Sequence, residues 1–300
     1  VTVLSWIAAQ TTHINVGSAI LQMPARTPAM TSMTAVTLSE LSGGRFKLGL
    51  GLSGPQVVEG WHGRPYGKPL GKTREYVSIV RRAIAREEPL EHSGAHYQIP
   101  YTGAGSTGLG KPLRMMTHSR HDIPIYIASI GPKNVQLTAE VADGWLPVFY
   151  SPTKARDVFG DALDAGFAAS DDTDKRARFD VAPAVTAVVT DDAEKARNHV
   201  KPAVALYVGG MGAKGRNFYN DLARRYGYEQ DAETIQDLYL GGNKRAATAA
   251  VPDELVDELN LIGSKEHIRD RLDVWRDSGV TTLIVSATDV TTLETLADLV

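Results

Sequence analysis

Apolar side chains recur along this chain with two alternating periods. Between positions 26 and 41, Met33, Val36, Thr37 and Leu41 share one helical face, with Thr27 as cap and Pro28 as first helical residue. The same stripe returns over 73–86 (Val77, Val80, Ile84), 132–142 (Val135, Thr138, Ala139, Ala142) and 153–169 (Phe159, Leu163, Phe167). It returns again over 265–278 (Ile268, Leu272, Trp275), where Ser264 caps the helix and Gly279 stops it. Val3, Leu4, Ile7 and Ala8 form a further stripe at the start. Between these helices lie short apolar runs at 14–21, 45–51, 123–128, 144–148, 181–189 and 281–286, which read as buried strands. Strand–helix alternation of this kind predicts a parallel sheet with helices outside it.

Two stretches break the alternation. Residues 88–120 are rich in Gly, Pro and His and too long for a simple connection. Residues 191–262 contain helical pieces around 192–207, 217–226 and 232–250, separated by the glycines of GGMGAKG at 209–215. Ligands of parallel α/β folds collect at the carboxyl ends of the strands. The mouth there is expected to be formed by 52–64, 88–120 and 205–217.

Several groups at strand ends have chemistry to offer, each beside a plainer reading. Gly51 and Gly54 flank Leu52-Ser53 and let backbone N–H groups approach a ligand without interference from Cβ. Ser129-Ile130-Gly131-Pro132-Lys133-Asn134 follows an apolar strand; Gly at the cap and Pro at the first helical position leave helix-start N–H groups beside Lys133, an anion site or ordinary capping. Gly17-Ser18-Ala19-Ile20 is small enough for a flat ring to lie on backbone, or for a helix to pack there. Trp145 reads either as a cavity wall or as core. Glu59 and His62 are the ionisable groups nearest the predicted mouth, against readings as a helix-supporting charge and a surface histidine. Arg26 reads as a helix-start residue.

Composition narrows the choices. With 32 basic and 35 acidic side chains, the net charge of −3 provides no broad field for nucleic acid or an anionic membrane. The absence of cysteine removes disulfides, thiolate catalysis and Cys-ligated metal. It suits a reducing cytoplasm. No apolar run approaches the roughly 20 residues of a membrane helix. Gly105 to Lys111 fits the spacing of a phosphate-cradling P-loop, but Pro112 follows where Ser or Thr is needed and no strand precedes it. His92 and His96 are four apart, but Gly94 lies between them in a loop, so they make no helical zinc pair; no metal site is expected.

The run TLSELSGGRFKLGLGLSGPQVVEGW (37–61), followed in order by GLGKPL (108–113), GPKN (131–134), ADGWLPVFYSP (142–152) and GVTTLIV (279–285) and preceded by RTPAM (26–30), closely resembles the luciferase-like family of flavin and deazaflavin oxidoreductases. The resemblance covers nearly the whole chain and is nearest to the branch that uses coenzyme F420, which includes methylenetetrahydromethanopterin reductase. It implies a (β/α)8 TIM barrel, a single domain over 1–300 with insertions at about 88–120 and 191–262. Six strands are counted where a closed barrel needs eight, so two strands and a helix, roughly 40–50 residues, are expected ahead of Val1. The implied activity is hydride transfer between F420 and an unidentified small organic substrate. An FMN-dependent luciferase-like monooxygenase and a non-catalytic cofactor-binding barrel are the alternatives. Cofactor contacts are then expected at Ser18, Ala19 and Ile20, where related enzymes have a bulge or a non-prolyl cis bond, and at Gly51, Ser53, Gly54, Ser129, Gly131, Pro132, Lys133 and Trp145. Glu59 and His62 are the catalytic candidates. Some F420 enzymes place an acidic residue where this chain has Pro55, so that role does not transfer. The resemblance further implies a homodimer.

Overall fold

The computed structural model describes residues 1–287 and 289–300. They fall into two compact units. One comprises 1–128, 137–144 and 170–175, and the other 129–136, 145–169 and 176–300.

The first unit is organised on strand β3 (Phe46–Gly51), hydrogen-bonded on both edges and buried on both faces, as a central parallel strand must be. Two short strands lie along one edge. β1 (Val16–Gly17) pairs with its start and β2 (Leu21–Gln22) with its end, where Gln22 faces Gly51. The single strand expected over 14–21 is therefore broken. The cause is Ser18, whose Oγ accepts from Gly49 N and donates to Gly49 O, both at 2.9 Å, and so replaces the backbone ladder at that point. β6 (Ile125–Ala128) is parallel on the opposite edge. Before the sheet comes α1 (Thr2–Gln10), and the helices that cover it are α2 (Pro28–Ser42), α3 (Pro55–Gly60) and α4 (Pro69–Ala85).

Thr27 caps α2 by accepting from Met30 N at 3.2 Å, and Gly43, at φ 64°, ends it in a left-handed turn. Its buried face differs from the expected stripe. Met33 and Leu41 are exposed, whereas Thr31, Ser32, Ala35, Val36, Leu38, Ser39 and Ser42 are buried. Small hydroxyl residues can serve as core because their polar atoms are satisfied locally: Ser32 donates to Pro28 O at 2.9 Å and Thr31 pairs with the Tyr76 hydroxyl at 2.5 Å. The apolar core sets Phe46, Leu48 and Leu50 against Ile125, Ile127, Val36 and Val80. Arg45, just before β3, ties the chain ahead of the sheet to it. Its guanidinium donates to Ala8 O (3.0 Å), Thr11 O (2.7 Å), Thr11 Oγ1 (3.1 Å), Ser42 O (2.7 Å) and Ile14 O.

In the second unit β9 (Ala184–Val189) is central, with β10 (Leu261–Gly263) and β11 (Ile284–Ala287) parallel on its two sides. β10 lies in the stretch read as the tail of an insertion. At three residues it is too short for periodicity to show, so the count of six strands missed it. The run 181–189 is likewise divided, into β8 (Asp180–Val181) and β9. The helices of 191–262 are α8 (Ala193–Ala205), α9 (Phe218–Arg225), α10 (Glu229–Leu240), α11 (Lys244–Ala249) and α12 (Asp253–Leu259), and α8 continues into a π-turn at Leu206–Gly210. Val208, Leu222, Ala232 and Ile235 are buried among them. The buried Asn220 amide donates to Val208 O at 3.1 Å and Ala232 O at 2.7 Å.

Candidate functional site

The carboxyl end of β2 and β3 gathers one set of the expected residues. The Ala19–Ile20 peptide bond is cis, one of the two backbone forms the resemblance implied. Ala19 is exposed and Ser18 buried. A Cβ at Gly51 would lie 2.1 Å from Ile20 Cδ1, so a larger residue there would have to displace the end of the Ile20 side chain. Ser53 follows at φ 61°, and Gly54 begins α3, its carbonyl accepting from Val57 N and Val58 N at 3.1 and 3.0 Å. After α3 the chain turns back, and His62 Nε2 lies 2.7 Å from Gln22 Oε1 at the end of β2. Glu59, by contrast, is exposed and spends its Oε1 on Tyr66 N at 3.2 Å, which shapes the loop rather than the strand ends.

Beside this platform lies a cleft of about 390 Å³. Arg26 and Thr27 border it from the start of α2, Leu52 from the end of β3, and Arg64, Tyr66 and Lys72 from the loop and helix beyond. Lys72 Nζ donates to Pro65 O at 2.7 Å and Tyr66 O at 2.9 Å, fixing that loop. His96 and Tyr97 close the cleft from the 88–120 segment.

The turn of that segment at 94–97 is held by one carboxylate. A two-residue antiparallel ladder joins β4 (His92–Ser93) and β5 (Gln98–Ile99), and its turn folds over Glu75 of α4. The Glu75 carboxylate accepts from Ala95 N (3.0 Å), His96 N (3.1 Å) and Tyr97 N (3.0 Å) and lies 3.1 Å from His92 Nε2. Burial pushes its pKa up, but the hydrogen bonds from His92 and from the three backbone N–H groups together outweigh it and hold the carboxyl below its ordinary range. Burial pushes Tyr97 up to about 12 and also raises Tyr66, so both phenols stay protonated near neutrality.

The remaining expected residues are in the second unit. Ser129 is buried, and its carbonyl accepts from Trp145 Nε1 at 2.9 Å. Gly131 starts the helix α5 (Pro132–Val141), its carbonyl accepting from Asn134 N and Val135 N at 2.9 Å, with Pro132 and Lys133 exposed beside it. Trp145 is wholly buried between Phe159 (4.9 Å) and Tyr150 (6.0 Å). It presents no surface to a ligand, and what it does locally is fix Ser129.

Sequence reasoning passed over Glu75, Arg64, Lys72 and Tyr97. A carboxylate that binds three successive backbone N–H groups leaves no spacing motif, and the one signal was the unusual length and histidine content of 88–120. Among the described residues no cluster of His, Asp and Glu could hold a metal ion, and no helix is long and apolar enough to cross a membrane.

The family model for luciferase-like monooxygenases matches residues 1–282. The chain belongs to that family. Within the luciferase-like family, it is 46% identical over all of its length, and 86% of the relative's, to a Mycobacterium tuberculosis protein named "Putative coenzyme F420-dependent oxidoreductase Rv3520c". It is 29% identical, over 95% of its length and 80% of the other's, to 5,10-methylenetetrahydromethanopterin reductase of Archaeoglobus fulgidus. Among solved structures, the coenzyme F420 dependent tetrahydromethanopterin reductase from Methanopyrus kandleri aligns over 100% of this chain and 86% of that one, with a TM-score of 0.79 at 22% identity. The structural likeness gives the fold class, α/β with parallel strands of the TIM-barrel type. Like these luciferase-like relatives, the chain is an oxidoreductase.

Proposed function

We propose that this protein binds coenzyme F420 at the carboxyl end of β2 and β3 and transfers a hydride between the deazaflavin ring and a small organic substrate. The observation that carries the reading is the platform itself. The Ile20 side chain packs over Gly51, and the small side chain of Ala19 is exposed beside it, which leaves a ring access to the backbone at 19. The names of the relatives favour the deazaflavin.

When bound, F420 supplies the carbon that gives or takes the hydride. The chain's part is placement: the donor and acceptor carbons must come within roughly 3–3.5 Å of each other. Burying a ring of roughly 200 Å² is worth about 5 kcal/mol gross, so the platform supplies more affinity than a phosphate at a helix start, worth about 0.3–2 kcal/mol. Hydride reduction of a carbonyl or imine also calls for a proton. His62, held on Gln22 at the end of β2, is the titratable side chain this reading assigns to it.

The test is a paired titration with F420 and FMN followed by ring fluorescence, on the wild type and on Gly51→Val. Micromolar binding of F420, lost in the variant while its melting temperature stays within a few degrees, is the expected result. Preference for FMN with oxygen consumption would replace the reading by a monooxygenase. Tight binding without turnover would replace it by a cofactor carrier.

A further inference from the structure

The cleft beside the platform carries a charge pattern that the hydride-transfer reading does not use. Three cations, Arg26, Arg64 and Lys72, border it, and no Asp or Glu does. This local excess sits in a chain whose net charge is −3. Arg26 and Arg64 are also unlike the other arginines of the first unit. Arg45, Arg74, Arg81, Arg82, Arg86, Arg114 and Arg120 each set their guanidinium against a carbonyl, a carboxylate or both. Among the described residues, neither Arg26 nor Arg64 has such a partner.

The rest of the lining is consistent with an anion entering. Lys72 uses two of its three donors on the Pro65 and Tyr66 carbonyls, which places its charge in the cleft wall and leaves one donor. The start of α2, a fifteen-residue helix, opens on the same space through Arg26 and Thr27 and adds the positive end of its dipole. The lining also includes the apolar side chains of Met23, Pro24, Leu52, Val58 and Pro69. Volume, apolar lining and cationic border together describe a pocket for an amphipathic ligand with an anionic head.

We propose that this cleft is an anion-recognition site that takes a phosphate or carboxylate borne on an apolar stem, with Arg26 and Arg64 as its recognition residues. Such a group can come from the acidic end of the cofactor or from the substrate. The assignment of the ring to the platform rests on the preceding reading, whereas the charge pattern of the cleft does not.

The test uses the full chain, inorganic pyrophosphate as probe, and calorimetry at low and moderate salt. Pyrophosphate should bind the wild type, and the double variant Arg26→Gln/Arg64→Gln should weaken it roughly tenfold, by an amount that shrinks as salt rises. Arg26→Lys/Arg64→Lys should retain most of the binding, and an unchanged melting temperature in both variants separates recognition from folding. Displacement of pyrophosphate by F420, but not by a deazaflavin that lacks the phosphate, assigns the anion to the cofactor. Displacement by hexyl phosphate while F420 stays bound assigns it to the substrate. Equal pyrophosphate binding by wild type and glutamine variant, or no binding at all, overturns the proposal. Failure of the phosphate-free deazaflavin to bind would instead sink the platform reading and leave the pyrophosphate result standing.

Discussion

The segments 88–120 and 191–262 both interrupt the strand–helix alternation, yet they are held in place by different forces. The first has few apolar anchors, Tyr97 and Met115 being half-buried against the core. Leu109, Leu113 and Met116 are exposed, at 84%, 65% and 94%, and the turn at 94–97 is fixed by hydrogen bonds to one carboxylate. The second is a helical cluster with its own core, in which Ile235 and Leu222 are wholly buried and the polar Asn217 and Asn220 are spent on carbonyls. Polar clasping gives a segment that titrates and opens locally, whereas apolar packing gives one that resists pH and fails when volume is lost. The clasped segment is the one that supplies His96 and Tyr97 to the cleft. The wall of the candidate site is thus built on the less stable of the two.

The comparison is broken most forcefully in the core-packed segment. Ile235→Ala leaves a cavity and should cost about 2–5 kcal/mol, seen as a lower urea midpoint, with amide exchange over 92–99 unchanged. Glu75→Gln removes the charge and keeps the shape. It should cost about 1.5–3 kcal/mol locally, read as faster exchange over 92–99 and easier proteolysis there, with a smaller change in global stability. Acid should imitate it in the wild type. The Glu75 carboxyl titrates lower in the folded protein than in the unfolded chain, so its contribution is complete above the ordinary carboxylate value and is lost as pH falls through the lower, folded one. A pH series of exchange should therefore show 92–99 opening in acid before 191–262 does, and simultaneous opening would show that the clasp is not what holds the segment. At the small end, Met116→Ser should change stability by less than about 0.5 kcal/mol in a thermal melt, since the side chain packs on almost nothing.

The same difference explains what the sequence made legible. Helices with a full stripe, such as α4, α6 (Ala155–Ala168) and α13 (Lys265–Asp277), lie where the periodicity predicts, because burial of one face is what forms them. β3 and β6 are visible as apolar runs for the same reason. β10 escaped because three residues carry no period, and the break between β1 and β2 escaped because it depends on where a single serine hydroxyl points. α2 was found, but its inward face was misjudged in part: beside Val36 and Leu38 its core positions are largely Ser, Thr and Ala, which hydropathy ranks below the exposed Met33 and Leu41. At the candidate site, the glycines and small residues of β2 and β3 were readable because backbone geometry restricts the residue type. The cleft was not, since Arg64, Lys72 and Tyr97 come together through loops, and the Glu75 clasp leaves no mark on spacing.

Arg45 has a consequence for how the chain assembles. Its guanidinium has five donors, and all are filled. Four of the bonds reach back 31 to 37 positions, to the last turn of α1 and the turn after it. They can close only after the whole of α2 has been laid down and the chain has returned on itself. One side chain thus acts as a record of loop closure, satisfied when three separate segments have arrived and otherwise left with half-buried donors in want of acceptors. Lysine, with three donors on one atom, could not keep that record.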